Sequence, residues 1–228
     1  MGNYLTGAWI MINLPDWRQD FWLQHPEWEQ QRIQAILAHT RRGNTVIDVG
    51  AELGDITAII AQKIGDGQMI AIEPVARTWP VIREIFELNN LPAPICSVAF
   101  AGTEIKNNPV IYNEWPPESV GEIITEPGFQ HLDERYDLPV ITIDNLIEQT
   151  NTPPNIINMD IEGAELMALQ GAREVLEIYK PTVFVSIHPD FLVQRYHQTK
   201  DDVLRFMELL HYKAELINID HEEHWLFT

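Results

Sequence analysis

The sequence carries a single cysteine, Cys96, in 228 residues. One thiol excludes an internal disulfide and fits a reducing cytoplasm. In its apolar setting Cys96 reads as a small core residue rather than a nucleophile. Long apolar runs are missing as well. None approaches the roughly 18 residues that span a bilayer, so no membrane span is expected. The first twenty residues have no basic start and no small-residue cleavage site. They carry Trp9, Asp16 and Trp17 instead, which does not fit a signal peptide. Positive charge is scarce: 15 Lys and Arg stand against 34 Asp and Glu, a formal net charge of −19. A field of that sign repels phosphate backbones and anionic headgroups, so nucleic acid and acidic membranes are poor partners. Repeats and low-complexity tracts are also lacking.

What is present is ordinary globular material, 45% hydrophobic and 21% charged. The length suits one domain with a sizeable core. Residues 1–43 read as an N-terminal cap rich in aromatics, irregular to about residue 25. Pro26 then opens a helix that runs from Glu27 to His39. From Thr45 strands and helices alternate. Thr45–Gly50, Gln68–Glu73, Pro94–Phe100, Asn155–Met159 and Thr182–Ile187 are strands. Asp55–Ile64, Arg77–Asn89, Glu162–Tyr179 and Asp201–Leu210 are helices. Val140–Ile143 is extended, and Asp144 caps a short helix, Asn145–Gln149. A Pro-, Gly- and Asn-rich insertion fills about 101–139. Lys213–Asn218 and Glu223–Phe227 flank a turn as an antiparallel hairpin. The alternation predicts an α/β, doubly wound, Rossmann-like sheet of seven strands, with only the C-terminal strand antiparallel. In such a sheet the ligand lies at the carboxyl ends of the strands, where the strand order reverses.

Four groups of residues fall at those ends. The first is Asp48-Val49-Gly50-Ala51-Glu52-Leu53-Gly54, a turn spaced G-x-x-x-G. A pyrophosphate site needs G-x-G-x-x-G, and Asp48 and Glu52 would oppose a diphosphate. They suit a ligand with a cationic ammonium and sulfonium. The second is Glu73, whose carboxylate can accept hydrogen bonds from ribose hydroxyls. The third is Asp160-Ile161-Glu162-Gly163-Ala164-Glu165, in which Glu165 also serves the helix dipole. The fourth is His188, placed beside Asp160 as a general base for a hydroxyl. His221, Glu222, Glu223 and His224 match no zinc spacing and read as a solvated turn. No metal ligand set is assigned, and a divalent ion held by Asp160 and Glu162 is a minor variant. Trp9, Trp17, Trp22 and Trp28 serve equally well as cover for an acceptor ring or as core.

At these residues the chain resembles the FkbM-type methyltransferase family. The matching stretches are VIDVGAELG (46–54), IAIEP (70–74), TIDNLI (142–147), IINMDIEGAELMALQGA (156–172) and FVSIHP (184–189). The resemblance covers about 44–228. It implies the fold of class I methyltransferases that use S-adenosylmethionine (SAM), and O-methylation of a hydroxylated small molecule such as a sugar or secondary metabolite. Asp48, Gly50, Ala51, Glu52, Gly54 and Glu73 would then hold SAM, His188 and Asp160 would be catalytic, and Glu162 would meet the acceptor. The family's usual Asn in the glycine turn is Glu52 here. Its common lysine two residues before the strand-four aspartate is Asn158, and its acidic residue two before the histidine is Ser186. The competing class is a SAM-binding or partner-binding protein without catalysis. A nicotinamide dehydrogenase is disfavoured by the glycine spacing and the terminal hairpin. A homo-oligomer is left open.

Overall fold

Strands buried on both faces need apolar side chains at nearly every position. TVIDV, QMIAI, IINMD and TVFVSI meet that demand and form the centre of the sheet. The computed structural model describes residues 3–5, 11–118 and 138–228. Trp9 and the middle of the expected insertion, 119–137, lie outside the described residues. In chain order the elements begin with β1 (Asn3–Leu5), β2 (Met11–Asn13), α1 (Asp16–Gln24) and α2 (Gln30–His39). There follow β3 (Thr45–Val49), α3 (Asp55–Ile64), β4 (Gln68–Ile72), α4 (Trp79–Leu88), β5 (Ile95–Ser97), β6 (Phe100–Ala101) and β7 (Ile111–Tyr112). Beyond the insertion lie β8 (Val140–Ile141), α5 (Ile143–Thr150), β9 (Ile156–Asp160), α6 (Glu165–Gln170), α7 (Arg173–Tyr179) and β10 (Thr182–Ile187). The chain closes with α8 (Pro189–Tyr196), α9 (Lys200–Leu209), β11 (Ala214–Ile219) and β12 (Glu223–Phe227).

The sheet order is β11-β12-β10-β9-β3-β4-β5-β7. The five central strands are parallel, and β12 runs antiparallel between β10 and β11. The expected hairpin is therefore present. The sheet has eight strands rather than seven, because β7, from the insertion, pairs antiparallel with the edge of β5. Strand order reverses between β3 and β9, which opens the crevice at their carboxyl ends. Val46, Met69, Ala71 and Ile156 face α2, α3 and α4, while Ile47, Val49, Ile72 and Met159 face α5, α6, α7 and α9. Each such side chain larger than alanine contributes roughly 1.5–3 kcal/mol by leaving water.

Several local expectations are corrected. The described residues before 25 are not all irregular: they hold β1, β2 and α1. Pro26 lies in the turn after α1 instead of opening α2, and Glu29, at φ 46, starts α2 in a left-handed cap. The expected strand 94–100 splits into β5 and β6, and β6 pairs with β8 in a small parallel ladder. The expected helix 162–179 is two helices. A Cβ on Gly171 would lie 1.9 Å from the Gly102 carbonyl oxygen, so this close approach requires glycine and breaks the helix there. Thr142, not Asp144, caps α5, and the Asp144 carboxylate instead accepts the backbone N–H groups of Glu174 and Val175 in α7. No helix among the described residues is long and apolar enough to cross a membrane.

Candidate functional site

A cavity of about 520 Å³ opens at the carboxyl ends of β3, β4 and β9. That volume lies within the roughly 300–1,000 Å³ common for small-molecule sites. Asp48, Gly50, Ala51, Glu52, Gly54, Glu73, Asp160 and Glu162 all line it. Eight of the nine residues singled out from the sequence are thus brought together. His188 is not among the lining residues. Its ring stands beside Asp160, Nε2 to Oδ1 3.7 Å, with its side chain 10% exposed.

At the glycine turn two strand ends approach closely. Gly50 takes φ +87, and a Cβ there would lie 1.9 Å from the Asp160 carbonyl oxygen, so strand ends β3 and β9 meet only through glycine. Glu52 is held at φ 48, a conformation that costs a non-glycine residue strain and recurs at ligand sites. The buried Glu73 carboxylate accepts the N–H groups of Glu52 and Val75, both at 2.8 Å, which ties the turn to the end of β4. Burial pushes the Glu73 carboxyl up to about 7, helped by the nearby Glu52 and Asp48 carboxylates and opposed by its two amide hydrogen bonds.

Asp48 and Asn158 face each other across the β3–β9 register. Asn158 Nδ2 donates to Asp48 Oδ1 at 2.7 Å, and Thr57 Oγ1 donates to Oδ2 at 2.5 Å. Burial raises the Asp48 carboxyl, and both hydrogen bonds oppose that rise. Asp48 therefore fixes the sheet's floor as much as it presents charge.

Sequence reasoning missed the centre of the network, Arg32 on α2. Its side chain is 2% exposed and donates to Asp160 Oδ2 at 2.9 Å, to Asn158 Oδ1 at 3.0 Å and to Glu29. Burial opposes its charge, but Glu29, Asp160 and Glu222 outweigh it, so the guanidinium stays ionised. Arg32 and Ile36 are four residues apart and share a helix face, which was the available signal. The guanidinium thus reaches Asn158 and Asp160 from another element.

The turn expected to be solvated is also part of the site. Glu222 is 5% exposed and His224 1%. Glu222 packs its carboxylate against His188 Nε2, while Glu165, fully buried, takes His188 Nδ1 at 2.8 Å. Ser186 pairs with His224 at 3.0 Å. Burial disfavours a charged His188, but hydrogen bonds to Glu165 and Glu222 prevail and raise its affinity for a proton. Glu222 is lowered by the same partner, against burial. Burial raises Asp160, against the pull of Arg32.

The aromatic cap divides. Trp17 is 54% exposed and outside the cavity lining, whereas Phe21, Trp22 and Trp28 line it. Arg18 Nε and Trp22 Nε1 each donate to Asp55 Oδ2 at 2.6 Å, which clamps α1 over the start of α3. Cys96 is buried, and burial raises its thiol, as a core role requires.

Residues 48–214 match the methyltransferase FkbM domain. The chain belongs to the FkbM methyltransferase family. Among curated relatives it is 29% identical over 169 residues to the hexuronic acid methyltransferase AglP of Haloferax volcanii, covering 70% of this chain. It spans 62% of that relative's length. The fold resembles that of the crystal structure of methyltransferase FkbM from Methylobacillus flagellatus, with a TM-score of 0.54 and 20% identity. That match covers 82% of this chain and 44% of the other. An rRNA methylase from Streptococcus thermophilus superposes with a TM-score of 0.51 at 11% identity, covering 87% and 92%. Glu29, Arg32, His221 and Glu222 all lie outside the matched residues.

Proposed function

We propose that the protein transfers a methyl group from SAM to a hydroxyl oxygen of a small molecule, with a sugar-type acceptor. The observation that carries the reading is one cavity whose β3–β4 side offers the glycine turn and Glu73, and whose β9 side offers Asp160 and Glu162. Glu73 keeps free lone pairs for ribose hydroxyls, and the acidic turn at Glu52 suits a cationic ligand. The sulfonium is already activated, so the protein has to align the acceptor oxygen and receive its proton. Asp160 orients the hydroxyl, and His188 takes the proton at Nε2 after the proton that Glu165 and Glu222 hold on that nitrogen has passed to solvent. Because Glu222 occupies that nitrogen, the hydroxyl must displace the Glu222 carboxylate. The AglP relative supports a sugar acceptor, and stacking faces at Trp22 and Trp28 suit a ring. The Glu222–His188 contact also favours a second reading, SAM binding without transfer. A mass-spectrometric screen of hydroxylated acceptors with methyl-labelled SAM separates the two: SAM that binds while no acceptor gains label would leave only the second.

Glu73→Ala is expected to weaken SAM binding tenfold or more, about 1.4 kcal/mol, because charge-assisted contacts to the ribose are lost. Calorimetry on a variant shown to be folded checks this, and an unchanged affinity would take Glu73 out of the site. The same group sets a pH dependence. Ribose hydroxyls favour the ionised carboxylate, so SAM lowers the Glu73 pKa and its binding releases a proton. Affinity is therefore highest above about 7 and declines as pH falls through that value. Glu52 and Asp48, which face Glu73, strengthen the effect in the empty protein. Proton release, measured in buffers of different ionisation enthalpy, should disappear in Glu73→Ala.

A further inference from the structure

Where α2 begins and the C-terminal hairpin turns, three donor atoms converge that the mechanism above does not use. They are Glu29 Oε1, His221 Nε2 and Glu222 Oε1. All lie within 4.8 Å of one another, with His221 Nε2 3.5 Å from Glu222 Oε1 and 3.9 Å from Glu29 Oε1. Each carboxylate spends its other oxygen elsewhere: Glu29 Oε2 on Arg32 and Glu222 Oε2 on His188. Glu222 Oε1 is the telling atom. Its side chain is 2% exposed, and the atom has no hydrogen-bond partner. A buried, unpaired carboxylate oxygen is costly unless something fills the gap that it faces.

The imidazole is prepared for the same gap. Asp220 Oδ1 lies 2.8 Å from His221 Nδ1, which favours the proton on that nitrogen and leaves the Nε2 lone pair toward the two carboxylates. Trp28 stacks on the ring at 4.1 Å and 22°, so its orientation is fixed from the face. Two donors that share an ion at about 2.1 Å sit about 3–3.5 Å apart; His221 Nε2 and Glu222 Oε1 already stand at 3.5 Å, and Glu29 Oε1, 3.9 Å from Nε2, must close in.

We propose that Glu29, His221 and Glu222 form a site for a divalent first-row transition ion that joins the cap helix to the C-terminal hairpin. One imidazole and two carboxylates suit Zn²⁺, Mn²⁺ or Co²⁺ better than the all-oxygen shells of Mg²⁺ and Ca²⁺. The ion would offset part of the negative charge gathered by Glu29, Asp160, Glu162 and Glu222. Three protein ligands leave at least one coordination position. All three residues line the cavity, so that position can take water or an acceptor hydroxyl; only this last use rests on the methyl-transfer reading.

The test titrates tag-free, metal-stripped protein with Co²⁺ alone and follows the visible d–d bands. One equivalent per chain is expected, at an affinity that His221→Ala weakens at least tenfold. His221 is 38% exposed, on a turn, so its removal leaves the fold intact. Glu29→Gln provides a second variant and should also weaken binding. Equal Co²⁺ binding by wild type and His221→Ala, or no stoichiometric binding at millimolar ion, overturns the site. SAM affinity of the wild type is measured in parallel. Loss of SAM binding in the wild type would count against the proposed function and not against the ion site.

Discussion

Replacing His188 by alanine is expected to leave SAM affinity nearly unchanged and to cut turnover by about 10²–10⁴-fold, the span of general base catalysis. The two effects separate because the groups do. Glu73 and the glycine turn lie at the ends of β3 and β4, whereas His188 follows β10 beside Asp160. The loss must come from the imidazole and not from collapse of its surroundings. His188→Ala leaves Glu165, fully buried, with Gly163 N–H at 2.8 Å as its remaining hydrogen bond. His188→Gln, which keeps a polar group near Glu165, is therefore the necessary companion. Equal losses in both variants, with unchanged unfolding midpoints, point to proton transfer. Near wild-type turnover in either would mean that His188 only shapes the wall and that Asp160 handles the proton.

The part of the cavity at the ends of β3 and β4 was legible because local geometry dictates it. A strand that ends in Gly50 or Glu73 places those residues at the sheet's mouth whatever the rest of the chain does. Asp160 followed from the same logic. The part around Asp160 and His188 was legible only in part. Arg32 reaches Asp160 across 128 positions, a contact that no local pattern encodes. Helix periodicity was counted on apolar residues alone, so an arginine on the buried face went unnoticed. Glu222 was hidden differently. The hairpin was foreseen, but its register with β10 was not. Once Ile187 pairs with Glu223, the preceding Glu222 falls beside His188. The split of the expected helix at Gly171 and the eighth strand, β7, depended on packing between distant segments. Gly171 lies against Gly102, and β7 borrows the open edge of β5.

Arg32→Met is expected to destabilise the fold by about 3–5 kcal/mol, the usual cost of removing one partner from a buried ionic group. Methionine keeps much of the side-chain volume, so the loss reports charge rather than a cavity. Without the guanidinium, Glu29 loses its buried ion-pair partner, Asp160 loses a 2.9 Å hydrogen bond, and Asn158 loses its donor at Oδ1. Solvation repays little of this, because Glu29 and Asn158 are buried. Arg32 is itself imperfectly served, since its Nε has no hydrogen-bond partner, and this places the expected loss nearer the lower figure. Urea unfolding followed by tryptophan fluorescence supplies the number. The mechanism is tested by a cycle. If unpaired charge is the cause, Asp160→Asn should cost less in the Arg32→Met background than in the wild type, with a coupling of about 0.5–3 kcal/mol. Strict additivity would mean that Arg32 acts through Glu29, Asn158 and packing rather than through Asp160. The ion pair with Asp160 would then be a bystander, and the cap helix would sit over the cavity without being tied to the end of β9.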